Sequence, residues 1–319
     1  MMYLRSKILL LFSLSILSFH AFAQIDEEYP GWWNDKHLWE EGFPHWSQYI
    51  ITNPAQMGPN ALPIPDVYKA RLDSVVQYEL RFDQFSHPED NTFDFAAVLY
   101  WPIANGKAAL KVTALQEWYD MSHDLRDERR ARDWDPKGNT SGDVLFEFKY
   151  QLLLDHEKYP DLSFHAGLRT ASGGDFHNAR FSDAPGYNFA LSFGENYQHP
   201  ERFIEKVEWN LMLGLYVWQT YVSDNRQNDA PLYGFSILTS HKKWTWDNSI
   251  SGYYGYLDQG EYPIIYGDIP KSDHPLIYKT QLSYLQKKWI YKIAFKKGFY
   301  SFKYDVYQMS IGYRIKPKG

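Results

Sequence analysis

The sequence predicts an all-β fold: a transmembrane antiparallel up-and-down β-barrel of about twelve strands, with a short N-terminal periplasmic arm. Three observations predict it. The chain begins with a secretory signal pattern, most of its length alternates apolar and polar residues at every second position, and the links between the alternating segments are sorted by length.

The N-terminus has the parts of a secretory signal. A basic stretch precedes the apolar run 8–19, and the small-residue triplet Ala21-Phe22-Ala23 follows it. The pattern predicts a signal peptide over residues 1–23, cleaved near Ala23-Gln24, and export to the cell outer membrane. As a helical anchor the run would be too short for a hydrocarbon core of about 30 Å.

Composition limits the classes of function. Aromatic residues make up 18% of the chain, and Trp and Tyr favour membrane interfaces. There is no Cys, which excludes disulfides and thiolate chemistry, and the net charge of −6 with no long basic block argues against nucleic acid. No Gly-rich phosphate loop or helical His pair is present, so we expect no cofactor and no metal.

Alternation predicts the strands, most clearly in residues 207–221. One face there is apolar: Val207, Trp209, Leu211, Leu213, Leu215 and Val217. A period of two with charged residues on one face is typical of a strand with a single apolar side. The predicted strands are 76–83, 92–102, 107–119, 144–152, 162–169, 186–196, 207–221, 231–241, 244–256, 275–286, 289–297 and 301–315.

Link lengths distinguish a membrane barrel from a soluble β-protein. Even-numbered links are short and odd-numbered links are long, except the first and the last. Outer-membrane barrels have short periplasmic turns and longer external loops, whereas a Greek-key sandwich has no reason to sort its loops in this way. A soluble barrel of twelve strands would leave an interior too wide for side chains to fill.

The chain divides into a signal peptide (1–23), an N-terminal periplasmic arm or plug (24–72) and an outer-membrane β-barrel (73–319). The arm is rich in Pro and in Trp and has no sustained period. It could plug the lumen, cover the periplasmic mouth or bind a partner, and we favour an ordered arm packed against the barrel base.

Several segments resemble a known group of proteins. They are Gly58 to Pro65, Arg169 to Gly173, Ala179 to Tyr187 and Gln227 to Ala230. In these segments the chain resembles uncharacterised outer-membrane β-barrel proteins of the Bacteroidota, and the likeness covers most of the mature chain. The resemblance implies the barrel and its location, and it carries no catalytic residues onto this sequence.

Charged residues of both signs fall on the predicted inner face. The lumen-lining candidates are Glu79, Arg81, Asp83, Lys111, Glu117, Glu147, Lys149, His165, Arg169, Glu208, Asp247, Lys279, Lys292 and Arg314. If these charges pair across the interior they fill it; if they segregate around water they orient a polar solute. Mixed signs argue against a strongly anion-selective pore.

Two constellations contain residue types used in catalysis. Ser163 and His165 share one face of a strand, and Asp175, His177 and Ser182 lie within one external link. A triad is defined by geometry, so neither set establishes an enzyme. The link 124–141 interleaves acids with arginines; it could bind Ca²⁺ or lipid phosphate, and we favour a solvated, self-paired loop.

Three functions therefore follow as hypotheses. The first is a narrow channel for small polar solutes, embedded in outer-membrane lipid. The second is a non-conducting surface or assembly barrel whose arm or external loops bind a protein or a glycan. The third is an outer-membrane lipid-modifying enzyme, and we favour a role without catalysis.

Overall fold

A computed structural model describes residues 31–40, 42–43, 45–219, 226–258 and 272–316, so the predicted signal peptide lies outside the described residues. Within these ranges there are two short α-helices, α1 (Gly31–His37) and α2 (His123–Glu128), three 3-10 helices (Trp46–Tyr49, Ala104–Gly106 and Phe176–Asn178) and fifteen strands. The strands are β1 (Val76–His87), β2 (Asp90–Ile103), β3 (Ala108–Met121), β4 (Lys137–Ser141), β5 (Leu145–Leu153), β6 (Asp161–Arg169), β7 (Gly186–Gln198), β8 (Lys206–Gln219), β9 (Arg226–His241), β10 (Trp244–Tyr253), β11 (Gly255–Asp258), β12 (Ser272–Asp273), β13 (Leu276–Gln286), β14 (Trp289–Phe299) and β15 (Asp305–Ile315).

Twelve of these strands close into a ring. Each pairs antiparallel with its neighbours in chain order, and the last strand, β15, pairs with β1 from Val76↔Ile315 to Ser86↔Asp305. Strands β4, β11 and β12 lie outside the ring, in the links. The prediction of a closed twelve-stranded antiparallel barrel is confirmed.

The barrel is apolar outside and polar inside. Along β2, Phe93 and Phe95 are exposed while Thr92, Asp94 and Ala96 are buried, and the other strands repeat this alternation. An outer face of Phe, Leu, Ile, Tyr and Trp suits contact with lipid, because exposing so large an apolar surface to water would be unfavourable. Within the described residues, no helix is both long and apolar enough to cross a membrane.

The two ends of the barrel differ. We call one the turn end, because it carries the links 104–107, 154–160, 199–205, 242–243 and 287–288. We call the other the loop end; its links include 122–144, which contains α2 and β4, and 170–185. In outer-membrane barrels the short turns face the periplasm.

Strand boundaries agree with the prediction to within a few residues, with three larger differences. β9 begins at Arg226 rather than at 231, β15 begins at Asp305 rather than at 301, and β1 ends at His87 rather than at 83. In the first case the barrel ladder continues past Pro231, paired with Leu215. Where a strand extends beyond the membrane, both of its faces meet polar surroundings. The alternation of apolar and polar residues then ends, although the backbone hydrogen bonds to the neighbouring strand continue.

The arm lies inside the barrel rather than against its base. Near its N-terminal end, the Trp33 indole N–H donates to the Arg130 carbonyl, 2.9 Å away at the loop end. Near its C-terminal end, Arg71 contacts Asp161, the first residue of β6, at the turn end. The described residues between 31 and 73 therefore run from the loop end through the lumen to the turn end, where the chain enters β1.

Inward-facing polar side chains of the wall bind the arm's backbone. Asn210 accepts from the Ala70 N–H at 2.8 Å, Gln151 donates to the Ala70 carbonyl at 2.8 Å, and Ser163 donates to the Lys69 carbonyl at 3.1 Å. A buried backbone group without a partner is costly, and this part of the arm has no secondary structure of its own. Polar side chains of the inner face therefore supply the hydrogen bonds that a neighbouring strand would otherwise give to the backbone of the arm.

The loop-end half of the lumen contains the main hydrophobic core. Trp33, Tyr49, Met57 and Leu62 of the arm are buried in one cluster with barrel and loop residues such as Trp218. A ring of twelve strands cannot fill its own interior, so the core of this protein forms between the arm and the wall.

A matched pair of substitutions tests which surface faces lipid. Leu213, in the middle of β8, is 50% exposed, and Leu154, just past β5 at the turn end, is 49% exposed. In phospholipid vesicles we expect Leu213→Arg to lower the free energy of unfolding by about 2–4 kcal/mol and Leu154→Arg by about 0–1 kcal/mol. Urea titrations measure both, and equal losses would contradict a lipid-facing β8.

Candidate functional site

The lumen holds a cavity of about 560 Å³ between the arm and the wall. All twelve barrel strands and arm residues from Pro59 to Asp73 contribute to its lining, which runs from Gln77 and Arg314 at the turn end to Phe302 below the loop end. A cavity of this size holds water or a small solute.

The cavity collects most of the lumen-lining candidates. Glu117 and Glu208 are outside its lining; the candidates on it are Glu79, Arg81, Asp83, Lys111, Glu147, Lys149, His165, Arg169, Asp247, Lys279, Lys292 and Arg314. Glu117 is sealed below the loop end, where it accepts from Asn60 at 2.7 Å and Arg180 at 2.8 Å. Glu208 pairs with Lys206 on its own strand at 2.6 Å.

Charges on the wall pair with close neighbours rather than across the lumen. Glu147 on β5 binds Lys111 of adjacent β3 at 2.9 Å and Lys149 at 3.1 Å. Glu79 on β1 binds Lys292 of β14 at 2.6 Å. The partners of each pair lie on the same part of the wall, on one strand, on adjacent strands or, for Glu79 and Lys292, with β15 between them. The pairs therefore do not cross the cavity.

The arm adds charged residues to the lumen, and most of them could not be placed there from sequence patterns. Asp66 binds Lys279 at 3.0 Å and Lys296 at 3.1 Å, and Arg71 binds Asp161 at 2.9 Å. The position of Lys296 could have been predicted from the sequence, because it lies on the same face of β14 as Lys292. The positions of Asp66 and Arg71 could not, since the arm has no periodic pattern that shows which way a side chain faces.

A buried ionic network closes the lumen beneath the loops. Arg180 donates to Asp90 at 2.9 Å and to Glu117 at 2.8 Å, while Arg129 donates to Asp90 at 2.7 Å and to the Tyr304 hydroxyl at 2.7 Å. All five side chains are buried. Multiple charge-assisted bonds offset the desolvation that isolated buried ions would suffer.

The interpretation of residues 124–141 as a solvated loop is wrong for three of its four arginines. Arg126, Arg129 and Arg132 are buried, although Arg126 also pairs with Asp127 of the same loop at 2.7 Å. Arg126 lies with its guanidinium carbon 4.3 Å from the ring centre of Trp32, an arm residue. The loop packs on the arm, and among the described residues no three His, Asp or Glu side chains are arranged to hold a metal ion.

Ser163 and His165 meet, but not as nucleophile and base. His165 Nε2 lies 2.8 Å from Ser163 Oγ, and the Ser163 hydroxyl donates to the Lys69 carbonyl at 3.1 Å. While the hydroxyl makes that bond, its one proton is not available to the imidazole. Both side chains are buried under the arm, where Tyr68 stacks on His165 at 4.4 Å, so lipid has no access to them.

In the second constellation His177 lies near Asp175, but Ser182 is held by a residue outside the constellation. Ser182 Oγ accepts from Arg169 at 2.8 Å. His177 Nε2 lies 3.4 Å from an Asp133 oxygen and 3.8 Å from an Asp175 oxygen, in the loop-end link 170–185. This places an imidazole between two carboxylates.

Comparison with known proteins identifies the fold. No family model and no curated protein matches the chain. The COG4313 outer-membrane channel of Pseudomonas putida F1 superposes with a TM-score of 0.53 at 8% identity, covering 80% of this chain and 98% of that one. The chain has the fold of a bacterial outer-membrane β-barrel.

Two porins have lower similarity to this outer-membrane barrel. The KdgM porin has a TM-score of 0.43 at 10% identity over 74% of this chain and 98% of that chain. The NanC porin has a TM-score of 0.42 at 10% identity over 75% of this chain and 100% of that chain. The bacterial lineage that the sequence suggests stays a prediction.

His177 gives the loop end a predicted pH dependence. Burial lowers the pKa of His177, but the hydrogen bond and charge of Asp133 and the charge of Asp175 outweigh burial, so its pKa lies above the ordinary 6.5. A raised folded-state pKa contributes stability that is complete below pH 6.5 and is lost as pH rises through the folded value.

We therefore expect His177→Gln to flatten the fall in the melting temperature on the alkaline side of pH 6.5. NMR titration of the His177 ring in the wild type should give a midpoint above 6.5. A midpoint at or below 6.5, or an unchanged pH profile in His177→Gln, would contradict the assigned carboxylate contacts.

Proposed function

We propose that this outer-membrane barrel is a narrow channel for small polar solutes and that its arm is an internal gate. The main observation behind this proposal is the charged cavity between the arm and the wall. Its charged residues pair along the wall, so the ion pairs do not fill the cavity. Polar and charged walls of both signs conduct small polar solutes. The fold shared with an outer-membrane channel supports the same function.

The gate is closed in this conformation. The arm's aromatic residues and the Asp90, Arg129, Arg180 network occupy the loop-end half of the lumen. The arm joins the wall covalently at β1. Apart from the hydrogen bond that the Gly58 N–H donates to the Ala179 carbonyl at 2.7 Å, its described contacts are side-chain hydrogen bonds, ion pairs and packing. Opening therefore moves the arm away from the wall, with its pivot near Asp73.

A disulfide lock tests the gate. Val67 Cγ2 on the arm lies 2.8 Å from the position that a Cβ would occupy at Gly234 of β9. A sulfur at the Cγ2 position suits a bond to a second cysteine at 234, because sulfur to opposite Cβ is about 3 Å in a disulfide. The native chain has no Cys, so the bond would be unambiguous.

In planar bilayers we expect Val67→Cys/Gly234→Cys to conduct when reduced and to lose nearly all openings when oxidised. Dithiothreitol should restore the openings in the same membrane. The single variants Val67→Cys and Gly234→Cys control for the substitutions and should not respond to oxidant. Equal conductance in the two redox states would exclude the arm as gate, and silence in both would contradict the channel.

A second function, binding of a surface glycan or protein, is favoured by an aromatic group at the loop end. Trp134 is 65% exposed and lies 5.4 Å, edge to face, from Trp32, with the Arg126 guanidinium 5.2 Å from its ring. Exposed tryptophan beside arginine is typical of binding surfaces.

Substitution of the exposed tryptophan separates this function from the channel. If the surface binds a glycan, Trp134→Ala should abolish binding of the detergent-solubilised barrel to a glycan array. Trp101→Ala, which removes a tryptophan that is 52% exposed near the turn end, should leave binding unchanged. Binding that is absent from the wild type, or equal in the two variants, would exclude a glycan-binding role for Trp134.

A further inference from the structure

Lys279 and Lys296 form a like-charge pair that the strand register imposes. They are direct cross-strand partners on β13 and β14, and both line the cavity. Like charges directly opposite each other in a sheet destabilise it. The two lysines therefore need a negatively charged group beside them to offset their mutual repulsion.

Other luminal lysines obtain their counter-ion from the wall itself. Lys111 faces Glu147 in register and binds it, and Lys292 binds Glu79. Lys279 and Lys296 differ, because both of their described ion pairs go to Asp66 of the arm. Asp247 on neighbouring β10 makes no described ion pair with either lysine.

The Asp66 carboxylate binds in the manner of a ligand. One oxygen accepts from Lys279 at 3.0 Å and the other from Lys296 at 3.1 Å. The side chain of Asp66 is 49% exposed within the lumen, whereas the two lysines are mostly buried. A carboxylate on a tether competes at a high effective concentration with any free carboxylate.

We propose that the Lys279 and Lys296 pair is a carboxylate-binding site for a small organic acid, which Asp66 occupies while the arm is in place. This deepens the proposed function and rests on it for the movement of the arm that frees the site. When Asp66 leaves, the two ammonium groups remain opposed across the ladder, and an incoming carboxylate replaces both bonds. Within a lumen that carries charges of both signs, this site would favour anionic solutes.

Chemical rescue tests the site on the intact chain. Asp66→Ala deletes a group of the size of formate, so formate can reoccupy the space between the lysines. We expect Asp66→Ala to melt below the wild type, and 100 mM sodium formate to raise its melting temperature by about 2–4 °C more than sodium chloride does, if binding is in the range of about 10 mM. The wild type, with its site filled, should show no such difference.

The triple variant Asp66→Ala/Lys279→Gln/Lys296→Gln is the matched control and should lose the formate effect. If Asp66→Ala does not refold in chloride, its refolding yield in formate replaces the melting temperature as the readout. Equal behaviour in formate and chloride, or a formate effect that survives in the triple variant, overturns the proposal. Neither readout needs conductance, so a silent bilayer contradicts the channel and leaves this site intact.

Discussion

Closure of twelve strands is the constraint on which the rest of the structure depends. About eight strands enclose an interior that their own side chains fill, and twelve enclose more. The chain meets this excess by threading its own N-terminal segment through the ring. The largest hydrophobic cluster is consequently built jointly by arm and wall, with Trp33, Met57 and Leu62 from one and Trp218 and Tyr253 from the other.

Threading creates a second requirement, because an extended segment brings unpaired backbone groups into the lumen. The wall satisfies them with small polar side chains at inward positions, among them Ser163, Ser192 and Asn210. Bonds of this kind contribute about 0.5–1.5 kcal/mol each and exchange readily with water. The arm is thus held in the lumen by many modest contacts, as the proposed movement of the arm requires.

The two halves of the lumen use charge differently. Below the loops, Asp90, Glu117, Arg129 and Arg180 form a buried network that joins the loop end to the barrel. Farther along, the charges border a cavity and pair along the wall, so that water and ions can share the space. The Lys279 and Lys296 pair stands apart because its counter-ion belongs to the arm, which couples the charge of the wall to the position of the arm.

The sequence alone determined the fold class and most of the strands, because the lipid imposes a period of two on every spanning segment and the periplasmic side keeps its turns short. It also placed most of the charged candidates on the inner face, since parity within a strand decides the side. Only the tertiary structure decided that the arm fills the lumen, that Arg129 and Arg180 are buried, and that Asp66 joins two lysines on β13 and β14. The physical reason is that these facts depend on contacts between segments far apart in the chain, one of which has no periodicity, whereas alternation reports only on the residue's own strand.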